Sequence, residues 1–425
     1  MRVWLIKIHE ESPIKDRNIR LGRTHIIAET LQRDGHEVIL WKSTYSHLLK
    51  KQNYNTNTKI KYKDNYEIIF IKTIPYYKNV SLARVINHIQ FARKFAKLAE
   101  KEEPPDLIVT SYPDIFHSYE AVKYGKKHNI PVVVDVRDMW PEAFIEVMPK
   151  FLKPVAKVFL SPIYLYVNYV FRNATAVISM LPFCLQWYQN LSNRKHREFD
   201  KVFHHAYKKL NPTHEELEES YSFWKKYSIE KDNKDFIVCF FGSIGSKTVI
   251  DLKTAIKAGK LIESKTDKIK FVLCGSGQSL NYYKSIAKGY KNVIFPGWID
   301  ANKIYTLLEM GAVGIIPYRN RFDFKNTIPN KAAEYLSGGL PILTCMDGYI
   351  NEFLKPYSCV FHYQENNSDE LANIILDLYS NPQKLKQSSE NAFKAYNNHF
   401  NSDKIYTEMT KYFEKVVKNF DGNNI

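Results

Sequence analysis

The chain has 425 residues, which is too long for one ordinary domain and favours two domains of about 200 residues each. Hydrophobic residues make up 44% of it and charged residues 25%, and this composition excludes a wholly disordered chain. The 61 Lys and Arg residues outnumber the 45 Asp and Glu residues, and the net charge of +16 favours partners that carry phosphate groups.

Two further features of the sequence indicate a compartment. The five cysteines are scattered without a C-x-x-C pair, which argues against a disulfide frame or a zinc site and for a reducing compartment. The first apolar run is too short for a secretory signal, and no run of about 18 uncharged apolar residues is present. We therefore expect a cytoplasmic protein without a transmembrane helix.

Short apolar runs rich in β-branched residues recur along the chain, with helical stretches between them. Such runs suit strands of a parallel sheet that is buried on both faces. The Asn-rich stretch 53–57 is predicted to be the tip of a loop. The alternation of strands and helices in both halves predicts two doubly wound, Rossmann-like α/β domains. The predicted strands are Arg2–Ile8, Glu37–Trp41, Glu67–Lys72, Asp106–Thr110, Pro131–Asp135, Thr175–Ser179, Phe236–Phe241, Ile269–Cys274, Asn292–Phe295, Ala312–Ile316, Leu340–Thr344 and Ser358–Phe361.

A polar, charge-rich stretch at residues 190–235 separates the two predicted domains. We place the linker near Ala206–Pro212, so that the first domain is 1–206 and the second is 207–400. The remaining residues, 401–425, are predicted to form a terminal helix that packs against a domain. Its apolar residues follow helical spacing at Ile405, Met409, Tyr412, Phe413, Val416 and Val417.

A glycine-containing turn follows the predicted strand Phe236–Phe241. The run Phe241-Gly242-Ser243-Ile244-Gly245-Ser246-Lys247 predicts strand, turn and helix, which presents backbone N–H groups at a helix N-terminus and suits a phosphate. A plain βα turn explains the same residues equally well. It is not a Walker A loop, because Ser246 precedes Lys247, and a P-loop NTPase is therefore disfavoured. The similar Gly275-Ser-Gly277 is a weaker signal.

A second motif runs from Asn326 through a helix that is predicted to begin just after Pro329 and to end at Gly338-Gly339. Lys331 and Glu334 lie one turn apart near the start of that helix. A glutamate there accepts from two ribose hydroxyls, and a lysine with free N–H groups holds a diphosphate. The alternative interpretation is a surface ion pair between Lys331 and Glu334.

Charged residues also follow two strands of the first half. The run Asp135-Val-Arg137-Asp138-Met-Trp140 comes directly after a buried strand, and His117 belongs to the loop after the preceding strand. Ligand crevices of open α/β sheets form at that carboxyl edge. An Asp–Arg pair that braces the loop is the alternative interpretation for Asp135, and a structural role is the alternative for His117.

Residues 143–172 combine apolar residues at helical spacing with Lys150, Lys153 and Lys157. A basic, aromatic amphipathic helix of this kind lies in a membrane interface and favours an anionic surface. A helix whose apolar face packs into the core, with its lysines in solvent, explains the pattern as well.

Together these motifs resemble the GT-B glycosyltransferases, specifically the large retaining, nucleotide-sugar branch, family four, that includes many bacterial capsule and O-antigen enzymes. The resemblance covers nearly the whole chain. It is carried by Arg23–Val38, Asp135–Glu142, Phe241–Gly245, Phe295–Ile299 and Pro329–Pro341.

The resemblance implies that the C-terminal domain binds a nucleotide sugar and the N-terminal domain an acceptor, with the terminal helix crossing back to the N-terminal domain. Glu334 would hold the ribose, and Lys331 is the candidate for neutralising phosphate charge. His117 would position the donor sugar rather than act as a base, since the family is thought to use front-face attack. The remaining candidates are Gly242, Ser243, Gly245, Lys247, Asn326 and Asn330 for the nucleotide sugar, Arg137 and Asp138 for catalysis, and Arg23 and Trp140 for the acceptor side.

The sequence departs from the family pattern at several places: the usual Arg and Lys after the glycine loop are not evident, and the usual Pro-Asn-Gly linker is absent near His204-His205-Ala206. Asn326 stands where the first acid of the E-x7-E motif is usual, and the charged stretch Glu10–Arg20 replaces the N-terminal glycine-rich loop. No D-x-D motif is present, so we expect no metal ion and no cofactor. Amides, a helix N-terminus and a lysine would instead stabilise the leaving diphosphate.

The leading hypothesis is a glycosyltransferase on the inner face of the cell membrane. It would move a hexosyl or N-acetylhexosaminyl group from a UDP-sugar to a polyprenyl-diphosphate-linked saccharide in the synthesis of cell-surface polysaccharide. One alternative is a nucleotide-sugar epimerase of the same fold. The other is a basic nucleic-acid-binding protein, but no RRM, KH or OB signature is present and we expect no nucleic-acid partner.

Overall fold

A computed structural model describes the backbone of residues 1–11, 14, 21–79, 81–142, 145, 148–232 and 235–422, without the side chains of 322 and 323. The chain divides into two compact units. Residues 1–204 together with 405–425 form the first unit, and residues 205–404 form the second. The division thus falls two residues before the predicted boundary.

The first unit is an α/β unit built on one large sheet. Its strands are β1 (Arg2–Ile6), β2 (Glu37–Ser43), β3 (Tyr45–Ser46), β4 (Lys51–Gln52), β5 (Thr58–Lys63), β6 (Tyr66–Ile71), β7 (Leu107–Tyr112), β8 (Val132–Val136), β9 (Ala176–Ser179) and β10 (Lys201–Val202). Its helices before the second unit are α1 (Arg23–Arg33), α2 (Leu82–Ala99), α3 (Ile115–His128), α4 (Lys153–Phe159), α5 (Ser161–Asn173) and α6 (Pro182–Ser192).

The strand order of this sheet is β10-β9-β8-β7-β1-β2-β6-β5. Every strand is parallel to its neighbour except β5, which runs antiparallel to β6. Strands β7 and β8 are buried along their whole length, as their continuous apolar runs predict for a sheet covered on both faces. The order reverses between β1 and β7, and ligand crevices of doubly wound sheets open at such a point.

The second unit is a smaller sheet of six parallel strands in the order β13-β12-β11-β14-β15-β16. The strands are β11 (Phe236–Phe241), β12 (Ile269–Cys274), β13 (Val293–Gly297), β14 (Val313–Ile316), β15 (Ile342–Thr344) and β16 (Val360–His362). The order reverses between β11 and β14, so the carboxyl end of β11 lies at the switch point. The helices are α7 (His214–Lys225), α8 (Leu252–Glu263), α9 (Leu280–Ile286), α10 (Ala301–Met310), α11 (Phe322–Lys325), α12 (Asn330–Ser337), α13 (Tyr349–Leu354), α14 (Ser368–Ser380) and α15 (Pro382–His399).

The last helix, α16 (Ser402–Lys418), packs on the first unit from Ile405 onward. Its buried face contains Met409, Phe413 and Val416. The Tyr412 hydroxyl donates to the carbonyl oxygen of Phe199 at 2.6 Å. The amphipathic spacing therefore predicted this helix correctly, and the two-unit Rossmann-like fold class is confirmed.

Candidate functional site

The glycine loop after β11 lies directly beside Lys331. Gly242 has a φ of +142°, and a Cβ atom there would lie 2.5 Å from Lys331 Nζ. That conformation is accessible to glycine and strained for other residues. The structure therefore brings two of the predicted nucleotide-sugar residues together at the switch point of the second sheet.

Two further glycines, Gly275 and Gly277, lie in close backbone contact with this loop. A Cβ atom at Gly275 would lie 1.9 Å from the carbonyl oxygen of Gly242, and one at Gly277 would lie 2.4 Å from that of Ile244. The sequence signal for this pair is a G-x-G after a strand, which alone is a weak predictor of a ligand site. Its function is to let two backbone segments cross in contact.

The crossing fixes alternate N–H groups of the glycine loop. Gly242 donates its N–H to Cys274 at 3.1 Å, and Ile244 donates to Ser276 at 2.8 Å. Within the described part of the chain, the N–H groups of Ser243 and Gly245 donate to no protein acceptor. Free N–H groups beside an ammonium group are suited to an anion.

The expectation that this turn leads straight into a helix N-terminus is wrong. Helix α8 begins at Leu252, well beyond the loop, and the Asp251 carboxylate accepts the N–H of Lys253 at 3.2 Å. A carboxylate already occupies that helix end and would repel a phosphate. The N-terminus near the loop is instead that of α12, which follows Pro329 and has no side-chain cap.

The α12 residues occupy distinct positions. Lys331 Nζ donates to the Tyr318 hydroxyl at 2.9 Å and lies 5.5 Å from the ring centroid of Phe240. The described contacts therefore do not support the ion pair of Lys331 with Glu334. Glu334 is buried with 5% of its surface exposed, while Asn330 at the helix start is exposed.

The other residues that were predicted to bind the nucleotide sugar lie around the same loop or at the end of α11. Ser243 is exposed, and Asn326 is half-buried at the end of α11. The Lys247 side chain is exposed, with Nζ 4.1 Å from the ring centroid of Tyr282. Arg319, which no motif of the sequence indicated, donates to the Lys247 carbonyl oxygen at 2.7 Å and pairs with Glu365 at 2.6 Å. Arg319 thus stabilises the loop through its backbone.

In the first unit, Asp135 lies between two arginines at the end of β8. Its carboxylate accepts from Arg23 Nε at 3.1 Å and from Arg137 Nε at 3.0 Å. Burial raises the pKa of Asp135, but the two guanidinium groups outweigh it and hold the pKa below the ordinary value. Both Arg23 and Asp135 are buried, so the bracing role is real and it orients Arg137.

Glu10 extends this network to the start of α1. Its carboxylate accepts the N–H of His25 at 2.9 Å and that of Thr24 at 3.3 Å, and it lies 3.4 Å from an Arg137 nitrogen. Burial opposes the charged form, but Arg137 and these donors lower the pKa of Glu10 to about 2. Glu10 therefore occupies the N-terminus of α1 with its own negative charge. Most of the following stretch to Arg20 lies outside the described residues.

His117 does not lie in an open crevice, as its position after β7 had suggested. Its ring is completely buried in the first turn of α3. Nε2 lies 3.2 Å from the carbonyl oxygen of Ser111, and Nδ1 lies 3.3 Å from the Asp114 carboxylate. A side chain held in this way cannot contact a sugar directly, so any role of His117 is to position its neighbours.

Asp138 and Trp140 lie beside the network rather than within it, and Trp140 is half-buried against the core of the first unit. Asp138 is exposed, and it accepts from the indole N–H of Trp140 at 3.1 Å. The Trp140 ring lies 5.1 Å below the guanidinium carbon of Arg84 at the start of α2. These two candidates thus belong with α2 rather than with Asp135.

Residues 148–172 form three short elements instead of the single helix that was expected. A 3-10 turn at Lys150–Leu152 is followed by α4 and α5, each with a proline in its first turn. Phe151 is 77% exposed and Phe159 80%, so the core-facing alternative is wrong for Lys150–Phe159. It is right for α5, whose Val167, Val170 and Phe171 are buried in the core of the first unit. Residues 143, 144, 146 and 147 of the predicted helix lie outside the described residues.

The described residues contain neither a metal-binding cluster nor a membrane-spanning helix. No group of three or more His, Cys, Asp or Glu residues in that part of the chain is arranged to hold a metal ion. No helix in the same part is long and apolar enough to cross a bilayer.

Two family models match the chain, one in each unit. The model for Glycosyltransferase Family 4 matches residues 23–197, and the model for Glycosyl transferases group 1 matches residues 225–395. No curated protein matches the sequence significantly.

Several solved structures share the fold at low sequence identity. Sucrose-phosphate synthase from Thermosynechococcus elongatus superimposes with a TM-score of 0.66 at 14% identity, over 98% of this chain and 99% of that one. Anabaena HepE in complex with UDP gives 0.65 at 15% identity, over 98% and 100%. A putative UDP-N-acetylglucosamine 2-epimerase from Listeria monocytogenes gives 0.60 at 10% identity, over 99% and 97%. The fold of the two units and the two family matches, which together span most of the chain, identify it as a glycosyltransferase of the GT-B fold.

Proposed function

We propose that this glycosyltransferase transfers the sugar of a UDP-sugar to a polyprenyl-diphosphate-linked saccharide, with retention of the anomeric configuration and without a metal ion. The product would enter the synthesis of a cell-surface polysaccharide of the capsule or O-antigen kind. The transferred group would be a hexosyl or N-acetylhexosaminyl unit. The observation that carries the donor part is the anion-binding arrangement of Gly242, Ser243, Gly245 and Lys331.

This arrangement matches what the leaving group requires. Negative charge grows on the diphosphate as the bond to the sugar breaks, and fixed donors stabilise it without reorganising. The free N–H groups of Ser243 and Gly245 would bind the phosphate oxygens, and Lys331 would add a full positive charge. Lys331 is already held by Tyr318, so it loses little side-chain freedom on binding.

Glu334 would hold the ribose of the nucleotide. A carboxylate accepts from both vicinal hydroxyls, and these charge-assisted bonds are stronger than neutral ones. Asn326 and Asn330 would contact the sugar or its phosphates from the same segment, and Lys247 would stay at the rim of the site. The Anabaena protein of the same fold is in complex with UDP, which supports UDP as the nucleotide here as well.

The first unit would bind the acceptor at the carboxyl edge of its sheet. Arg137 is the residue there whose guanidinium is only half-buried, and Asp135, Arg23 and Glu10 fix its position. Asp138 and Trp140 would contact the acceptor from the adjoining loop. In front-face transfer the leaving diphosphate itself takes the acceptor proton, so none of these residues needs to act as a base.

The exposed apolar side chains of residues 148–172 support a peripheral position on an anionic membrane. Phe151, Val158 and Phe159 are exposed beside Lys150, Lys153 and Lys157, which is the composition of an interfacial segment. Flotation with anionic and neutral vesicles at varied salt tests this part, and equal recovery with both vesicle types would remove it.

The donor part is tested by thermal unfolding with UDP, GDP, ADP and TDP. At a concentration about 100-fold above its Kd, a ligand adds roughly 2.7 kcal/mol, which raises Tm by roughly 5–10 °C for a unit of this size. We expect UDP to give the largest shift, with uridine and inorganic phosphate as controls that give little. A response to GDP alone would mean that the nucleotide is GDP rather than UDP. No response to any of the four nucleotides would contradict the proposal.

A further inference from the structure

Three histidines of the first unit, His9, His47 and His88, cluster near the buried ring of Tyr76, outside the Asp135 network. His47 Nδ1 lies 2.6 Å from the Tyr76 hydroxyl, and His9 Nε2 lies 3.1 Å from it. The ring centroid of His9 lies 5.2 Å from that of His88 and 5.6 Å from that of His47. These residues come from the end of β1, the β3–β4 hairpin and α2, so the topology concentrates them at the carboxyl edge of the sheet.

Polar atoms in this cluster lack partners although they are buried. His88 is 8% exposed, and its Nδ1 lies 2.7 Å from Asp114, which leaves Nε2 without a hydrogen bond among the described residues. His9 Nδ1 and Arg84 Nε are buried and unpartnered in the same sense. Each such atom costs roughly 1–3 kcal/mol when it stays unpaired, so a ligand that supplies partners to several of them would be stabilised here.

Two cations are held beside the histidines. Asn79 accepts from both: its side-chain oxygen lies 2.6 Å from Lys50 Nζ, and its carbonyl oxygen lies 2.8 Å from an Arg84 nitrogen. Lys50 Nζ is also 3.4 Å from His47 Nδ1. The pair of cations and the three histidine rings thus lie together in one cluster of side chains, which we call the histidine pocket (His9, His47, Lys50, Arg84 and His88).

The electrostatics of the histidine pocket favour an incoming anion. Burial lowers the pKa of His47, and Lys50, Arg84 and His88 lower it further, while Glu11 opposes them. Burial also holds the pKa of His9 well below its ordinary value, with Asp114 opposing. An anion bound among the histidines and the two cations would offset the repulsion between their positive charges.

Exposed apolar side chains lie next to the histidine pocket in sequence. Leu48 and Leu49 stand between His47 and Lys50 on the β3–β4 hairpin, and Val85 and Ile86 stand between Arg84 and His88 on α2. We call the exposed set the apolar rim, and it consists of Leu48, Leu49, Tyr77, Leu82, Val85 and Ile86. A rim of this kind beside the half-buried cations Lys50 and Arg84 suits a ligand with an anionic head and an apolar chain.

We infer that the histidine pocket binds the diphosphate of an isoprenoid diphosphate and that the apolar rim holds the first part of its hydrocarbon chain. This inference rests on the proposed function, since it names the lipid part of the acceptor. A free phosphate would use the pocket but leave the rim exposed. A phospholipid membrane surface would use the rim but would not reach buried ring nitrogens such as His88 Nε2.

The test uses calorimetric titration of the full chain with farnesyl diphosphate, pyrophosphate and farnesol. Removing both cations in Lys50→Gln/Arg84→Gln is expected to weaken farnesyl diphosphate about tenfold for each cation, or about 100-fold in all. The control is Lys127→Gln, which removes an exposed lysine that pairs with Glu100 at the far end of α3. It is expected to bind like the wild type.

A second variant, Leu82→Ser/Ile86→Ser, separates the rim from the pocket. It is expected to weaken farnesyl diphosphate several-fold and to leave pyrophosphate binding unchanged. Equal affinity of the wild type and the double cation variant for farnesyl diphosphate would overturn the inference. So would pyrophosphate binding as tightly as farnesyl diphosphate, or anionic phospholipid vesicles displacing farnesyl diphosphate.

The same proteins are titrated with UDP, so that the two proposals fail separately. Retained UDP binding with unchanged farnesyl diphosphate binding in the cation variant would leave the transferase proposal and remove the lipid site. If the wild type does not bind UDP but binds farnesyl diphosphate through the two cations, the lipid site stands and the transferase proposal is removed. Unchanged thermal unfolding of the first unit in the variants shows that they are folded, since the variants lie in that unit and UDP is expected to bind the second.

Discussion

Replacing Glu334 with alanine is expected to abolish the stabilisation by UDP, because the ribose loses its acceptor. Two charge-assisted hydrogen bonds contribute roughly 1.5–3 kcal/mol each, so the affinity for UDP should fall at least about 100-fold. Glu334 is buried in α12, with 5% of its surface exposed, and its position there does not depend on Lys331, which bonds to Tyr318 instead. Thermal unfolding with and without UDP measures the effect.

The unliganded protein and two further variants serve as controls for this result. Glu334→Gln keeps the shape of the side chain but not its charge, and it should retain part of the UDP shift. Glu352→Gln changes an exposed glutamate of the same unit and should behave like the wild type. If Glu334→Ala keeps the full UDP shift, the ribose is held elsewhere and the assignment of Glu334 is wrong.

The variant Asp135→Ala is expected to destabilise the first unit by about 3–5 kcal/mol at neutral pH. The carboxylate is buried between Arg23 and Arg137, and its removal leaves two guanidinium groups without their partner. Asp64→Ala removes an exposed ion pair with Lys61, which solvent screens, and should change the stability far less than Asp135→Ala. Urea unfolding, followed by a probe of the first unit, compares the two.

The pH dependence of this difference has a definite sign. The pKa of Asp135 is lowered in the folded state, so its contribution is complete above the unfolded pKa of about 3.9 and is lost as the pH falls toward the folded value. The gap between the wild type and Asp135→Ala should therefore be constant from about pH 5 to 8 and narrow below about pH 4. An equal gap at pH 3 and pH 7 would show that Asp135 is not held as a carboxylate.

The strands of both sheets could be predicted because their burial on two faces requires continuous apolar runs. The short edge strand β10 and strand β5 were missed. In β5 the lysines at 59, 61 and 63 alternate with half-buried residues. That alternation is typical of an edge strand, whose lysines discourage pairing with another chain. The Asn-rich stretch at 53–57, typical of a loop, directly precedes this alternation.

The candidate site was predicted less completely, because side-chain direction and loop length are not visible in a motif. His117 follows β7 as expected, but its place in the first turn of α3 directs it into the core toward Asp114. The glycine loop was located correctly, whereas the helix after it begins only at Leu252. The function of Gly275 and Gly277 depends on a crossing between two segments far apart in sequence, which one sequence does not reveal.

Charged and titratable residues that belong to no sequence motif were also missed. Glu10 lies in a stretch that departs from the family pattern, yet it fills the N-terminus of α1 and pairs with Arg137. The histidine pocket collects single residues from three separate elements, and each alone has an ordinary structural explanation. Only the fold brings them together.

The central claim is that the second unit binds the diphosphate of a nucleoside diphosphate through backbone amides and a lysine. The most direct measurement is a crystal structure of the protein with UDP bound. We predict phosphate oxygens within hydrogen-bond distance of the N–H groups of Ser243 and Gly245 and of Lys331 Nζ, with both ribose hydroxyls on Glu334. A diphosphate bound away from this loop, or reached only through a metal ion, would contradict the account.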